Sequence, residues 1–133
     1  MYVLDTNTVA CFFRREGAVA ERLLATPPSE IGIPTVVLYE LEVGVEKSTS
    51  PRKRRAQLAR FVQVVEILPF GPGEARAAAR IRASLERSGT PIGPLDILIA
   101  GTVVARGATL VTRNVREFSR IPDLSVVDWY ESG

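Results

Sequence analysis

The 133-residue chain contains no histidine. That excludes imidazole acid–base chemistry, serine–histidine–aspartate triads and imidazole-ligated zinc. Its single cysteine, Cys11, excludes an internal disulfide and any cysteine-cluster metal site. Lysine is nearly absent: of 17 basic residues only Lys47 and Lys53 are lysines. The positive charge is therefore carried by arginine, whose forked donors suit phosphate oxygens. A net charge of +2 argues little for a nucleic-acid partner, but Arg52, Lys53, Arg54, Arg55 and Arg60 crowd into one short stretch. No apolar run approaches the ~20 residues that span a membrane. Met1-Tyr2-Val3-Leu4-Asp5 has neither the basic start nor the long apolar stretch of a secretory signal. A single cytoplasmic domain over residues 1–133, with no membrane partner, is expected, and it is long enough to bury a core without staples.

What is present is an alternation of short apolar runs with helical patterns. Tyr2-Val3-Leu4 reads as a strand, after which Thr6 or Asn7 caps a helix reaching Arg14 or Arg15. A second helix follows over residues 18–25, then a short strand at Ile31-Gly32-Ile33. Pro34 stands at the start of a helix through Val37, Leu41 and Val45. Pro51 opens the helix that carries the basic run, and residues 64–68 form a strand. Gly71-Pro72-Gly73 reads as a turn, with helices expected over 74–87 and 95–105 and a glycine cap at Gly107. Strands at 109–112 and 125–127 flank a helical turn at 115–118. This alternation predicts an α/β fold, a three-layer α/β/α sandwich on a mostly parallel central sheet.

Four aspartates occur, and two have unusual settings. Asp5 directly follows the first strand, and open α/β sheets bind ligands beyond the carboxyl ends of their strands. Asp96 opens an otherwise apolar helix in Pro94-Leu95-Asp96-Ile97-Leu98-Ile99-Ala100. Glu40 lies on a mostly apolar helix one turn before Gly44, where a glycine lets another element approach at a propensity cost of about 1 kcal/mol. Taken singly, Asp5 reads equally as a helix cap, Asp96 as a carboxylate on a helix dipole, and Glu40 as a solvated position. Jointly they are three acids on three elements. Gathered carboxylates repel one another and call for a cation. Without histidine or usable cysteine the donors are all oxygen, which selects a hard ion, Mg²⁺ or Mn²⁺.

Four segments resemble, in order, the motif blocks of the PIN-domain family: Val3-Leu4-Asp5-Thr6-Asn7, Tyr39-Glu40-Leu41 with Gly44, Pro94-Leu95-Asp96-Ile97-Leu98-Ile99-Ala100, and Leu110-Val111-Thr112-Arg113-Asn114 with Glu117-Phe118. Length and Trp129 resemble its VapC-type toxins. The resemblance implies a PIN-like sandwich and Mg²⁺- or Mn²⁺-dependent endonucleolytic cleavage of RNA. It implies that Asp5, Glu40 and Asp96 are the metal-binding acids. It also implies a homodimer and a larger assembly with a small VapB-type antitoxin. Many relatives carry a fourth acid where Asn114 stands here, so Asn114 and Glu117 compete for that corner. Thr6, Asn7, Thr112 and Arg113, on strand-following loops, are expected to contact phosphate or support the acids. The apolar residues Phe12, Phe13, Val37 and Leu38 exceed what a small core hides, which also favours a dimer. Two rivals stand beside this reading. Asp5-Thr6-Asn7-Thr8 resembles the start of a haloacid-dehalogenase-type phosphatase, but Asn7 replaces the second aspartate that family needs. A PIN fold that binds RNA or protein without cutting is the other.

Overall fold

The computed structural model describes residues 1–131. Among these residues five strands form one sheet: β1 (Tyr2–Leu4), β2 (Ile31–Pro34), β3 (Glu66–Leu68), β4 (Thr109–Val111) and β5 (Ser125–Val127). Their order is β3-β2-β1-β4-β5, and every neighbouring pair is parallel. Between them run α1 (Thr6–Arg14), α2 (Val19–Leu24), α3 (Thr35–Glu46), α4 (Pro51–Val62), α5 (Pro72–Arg87), α6 (Pro94–Ala105) and α7 (Val115–Phe118). The expected α/β class and parallel sheet are borne out. Strands buried on both faces read as continuous apolar runs rather than alternating ones, which is why Val3, Leu4, Ile33, Leu110 and Val111 are all fully buried.

The sheet order sets the site. The chain leaves β1 for β2 and β3 on one side, then returns to β4 and β5 on the other. The carboxyl ends of β1 and β4 therefore lie side by side at the switch in strand order, where α/β sheets hold ligands. Register fixes the match: Leu4 pairs with Val111, and the Asp5 N–H donates to the Val111 carbonyl at 3.2 Å.

Several local expectations need correction. The cap of α1 is Asp5, whose Oδ1 accepts the Thr8 N–H at 2.9 Å, and not Thr6 or Asn7, which already lie inside the helix. Pro72 begins α5 instead of closing a turn: its fixed φ suits the first helical position, and Glu74 reaches back to accept the Gly71 N–H at 2.7 Å. β3 starts at Glu66, since Val64 is 57% exposed and lies outside the sheet. The apolar surplus is largely absorbed. Val37 is fully buried, and Phe12 and Phe13 pack on Phe61 with ring centroids 5.8 and 5.5 Å away. Gly44 admits no element of this chain, because a Cβ there would meet nothing within 4 Å. The close approach occurs at Gly101, where a Cβ would stand 2.7 Å from that of Ala78, so α6 lies hard against α5. No helix among the described residues is long and apolar enough to cross a membrane.

Candidate active site

Beyond the ends of β1 and β4 lies an open cleft of about 520 Å³. Asp5, Glu40 and Asp96 line it together with Thr6, Asn7 and Asn114. Ile99 and Phe118, both within the quoted blocks, supply apolar wall. A larger cleft of about 650 Å³ between α5 and α6 is mostly aliphatic and holds none of the predicted site residues.

Asp5 reaches the cleft as the residue after β1 and is 7% exposed. Both of its oxygens are engaged: Oδ1 accepts from the Thr8 N–H, and Oδ2 accepts the Thr112 hydroxyl at 2.5 Å. Burial pushes its carboxyl above the ordinary range, the Thr112 and Thr8 hydrogen bonds pull it back, and the charge of Glu40 adds a further push upward. Thr112 is itself wholly buried, and its oxygen also accepts the Asn114 N–H at 3.0 Å. Thr8 ties the corner again by donating its hydroxyl to the Val111 carbonyl at 3.0 Å. Sequence reasoning passed over Thr8; the signal was its position three residues after an aspartate that can cap.

Glu40 extends from α3, and its Oε1 accepts the Thr6 hydroxyl at 2.5 Å. Asp96 stands in the first turn of α6. Its carboxyl is pushed up to about 6, chiefly by burial, then by the charges of Glu117, Asp5 and Glu40. A rise with three carboxylates among its causes means that the four acids share one electrostatic neighbourhood. Glu117, on α7, sits beside the cleft with its carboxylate accepting the Asn114 side-chain amide. Arg113 lies apart from the cleft lining, with its guanidinium 3.4 Å from the centre of the Tyr130 ring. A haloacid-dehalogenase-type phosphatase also wants a lysine at its site, but both lysines here are exposed and neither lines the cleft.

No three acidic, histidine or cysteine side chains among the described residues are gathered closely enough to grip an ion unaided. The cleft offers only oxygen-bearing carboxylates, hydroxyl and amides, a donor set of the kind a hard ion takes. Mg²⁺ keeps several waters and is held by one or two carboxylates plus substrate phosphates, not by an all-protein cage.

The PIN domain model matches residues 2–124. The chain belongs to the PIN-domain family, as one of its VapC-type ribonucleases. It is 37% identical over 128 residues to the tRNA(fMet)-specific endonuclease VapC of Salmonella typhimurium, covering 96% of this chain and 97% of that one. Ribonuclease VapC2 of Rickettsia felis is 36% identical over 131 residues, covering 97% and 98%. Among solved structures, VapBC2 from Rickettsia felis bound to a promoter DNA fragment superposes with a TM-score of 0.90 at 34% identity, covering 96% of this chain and 98% of that one. DNA-bound VapBC from Salmonella typhimurium gives 0.89 at 36%, with 96% and 97% covered. The PIN fold and ribonuclease class read from the sequence blocks are thus borne out.

Proposed function

We propose that this chain is the RNA-cutting toxin of a toxin–antitoxin pair, a divalent-ion-dependent endoribonuclease whose centre is Asp5, Glu40 and Asp96. The observation that carries this reading is the convergence of three acids from β1, α3 and α6 on one cleft at the switch in strand order. The all-oxygen donor set fits Mg²⁺ or Mn²⁺. Asp5 and Asp96 would hold the ion, with Glu40 contributing directly or through water. Bound there, the ion supplies an activated water and neutralises charge on the phosphodiester. Thr8 and Thr112 hold Asp5 in one orientation, while Thr6 fixes one Glu40 oxygen and leaves the other for water or the ion. Asn7 and Asn114 present side-chain amides at the cleft and orient phosphate or water. Glu117 is the candidate fourth carboxylate. Arg113, stacked on Tyr130, steadies the loop after β4.

Attack by water needs no RNA 2′-hydroxyl, so the products carry 5′-phosphate and 3′-hydroxyl ends. The relatives solved as VapBC assemblies support a small VapB-type antitoxin as partner here; a homodimer inside that complex is part of the same proposal. A single nuclease domain working in the cytoplasm, where RNA substrates are found, completes the reading. The test is end-mapping of RNA cut by the purified chain. Cleavage should vanish with a chelator, return with Mg²⁺ or Mn²⁺, and fall about a thousandfold in Asp96→Asn, equivalent to ~4 kcal/mol of lost transition-state stabilisation. A 2′,3′-cyclic phosphate at the cut, or full activity in Asp96→Asn, would overturn it.

A further inference from the structure

Gly44 is a glycine in the last turn of α3 with no packing reason within the described residues to be one. It sits in α3, where glycine weakens the helix, yet a Cβ there would enter open space. Nothing among the described residues uses the gap. The gap opens onto a trough of about 440 Å³ between α1, α3 and α4. The trough is continuous with the carboxylate cleft, since Thr6, Ala10 and Glu40 line both. Gly44 is one helical turn beyond Glu40, so an occupant of the trough lies beside one of the candidate catalytic acids.

The lining combines two chemistries. Phe13, Leu41, Val45 and Leu58 make an apolar wall with one aromatic ring in it. Arg54 supplies charge. It has no ion-pair partner among the described residues, and donates to the Gln57 side chain at 3.1 Å, which in turn is held on the Phe13 carbonyl at 3.3 Å. Its neighbours are used differently: Arg55 bridges Glu42 and Glu46 and latches α4 to α3, while Arg14 is paired with Glu16. Of the basic run, Arg54 is therefore the guanidinium presented to the trough. A cation beside an apolar, partly aromatic wall, continuous with a phosphodiester-cleaving cleft, is how proteins hold an unpaired nucleotide: base on the wall, phosphate on the arginine.

We infer that this trough is a nucleotide subsite, which seats an unpaired base of the RNA next to the scissile phosphate, with Gly44 left bare so that the strand can pass over α3. The inference rests on the ribonuclease reading of the adjoining cleft. It requires single-stranded RNA locally, because paired bases are turned away from such a wall.

The test measures binding apart from chemistry. A short fluorescent single-stranded RNA is titrated into Asp96→Asn protein, then into the same protein also carrying Gly44→Leu or Arg54→Gln. Gly44→Leu fills the trough in a helix that gains propensity, so its melting temperature should hold or rise while RNA affinity falls about tenfold, the worth of one stacked base. Arg54→Gln should weaken binding and lower the salt-dependence slope by about 0.7, one phosphate contact on a single strand. A blunt duplex RNA should feel neither change. Unchanged single-strand affinity in both variants overturns the subsite. So does unchanged RNA affinity accompanied by loss of the cognate antitoxin, which would assign the trough to a protein partner. Cleavage by the Asp96→Asn parent would overturn the catalytic reading and leave the binding result standing by itself.

Discussion

Asp5 and Asn114 line the same cleft, but Asp5 is 7% exposed with both oxygens engaged, whereas Asn114 is exposed and its side chain holds only Glu117. The first corner is built from the sheet: β1 and β4 fix the backbone, and Thr8 and Thr112 fix the carboxylate. The second rests on α7, a helix of four residues. Desolvation makes a misplaced carboxylate costly at the first corner and cheap at the second. On the proposed reading, the buried corner sets the ion's position before RNA arrives, and the exposed corner adjusts to the phosphate.

Thr112 is where that contrast breaks most sharply. Replacing it by valine keeps the shape but removes both the donor to Asp5 and the acceptor for the Asn114 N–H. The orphaned buried groups should cost about 1–3 kcal/mol of stability, read as a lower midpoint in urea. Cleavage should fall about a hundredfold, the usual effect of displacing a reacting group by roughly 1 Å. Thr112→Ser, which keeps the hydroxyl, should recover most of both. Wild-type cleavage in the valine variant would show that rigidity at this corner has no part in catalysis.

Acidification probes the middle of the cleft. Asp96 is pushed up to about 6 from an ordinary value of 3.8, and Asp5 is shifted the same way. A carboxyl whose folded value is raised binds its proton more tightly when folded. Its favourable contribution is therefore complete below the unfolded value and is lost as pH rises through about 6. Ion-free protein should gain stability between pH 7 and pH 5, by on the order of 1 kcal/mol for the half-exposed Asp96 after solvent screening. Asp96→Asn should flatten that part of the profile. Saturating Mg²⁺ should reverse its sign, because the ion competes with the proton. Melting curves against pH, with and without Mg²⁺, decide this; an ion-free profile that Asp96→Asn leaves unchanged would contradict the assigned cause.

The two corners also differed in how much of them could be read from sequence. Asp5 and Asp96 announced themselves because each is an acid pressed into apolar sequence at the end of a strand or the start of a helix. The parallel sheet was legible for the same reason, since runs such as Tyr2-Val3-Leu4 and Leu110-Val111 have no polar face to expose. Thr8 and Thr112 were harder to weigh: a threonine hydroxyl carries no charge, and its role appears only when β1 and β4 are placed in register. Arg113 reads from its strand-following loop as contacting phosphate or supporting the acids; its stacking on the Tyr130 ring, which joins residues far apart in the chain, is not legible from that position. The bare space over Gly44 could not be anticipated, because sequence marks a close approach without saying whether a neighbour inside the chain makes it.

The exposed corner yields the smallest effects but a decisive sign. Glu117 is the charge that contributes most to raising Asp96, after burial. If Glu117 only repels, Glu117→Gln lets Asp96 ionise more readily, and Mn²⁺ should bind more tightly near pH 6. If Glu117 ligates or holds a metal-bound water, losing its charge outweighs that relief. The second outcome is expected: about threefold weaker Mn²⁺ binding by calorimetry, under ~1 kcal/mol. Asn114→Asp should move the other way. It replaces an amide that donates to Glu117 with a second carboxylate facing it, so the ion-free protein loses a little stability to like-charge repulsion. That repulsion is relieved when the ion enters, and Mn²⁺ affinity should rise severalfold. Tighter binding in Glu117→Gln would remove Glu117 from the site and leave the fourth corner to the neutral Asn114.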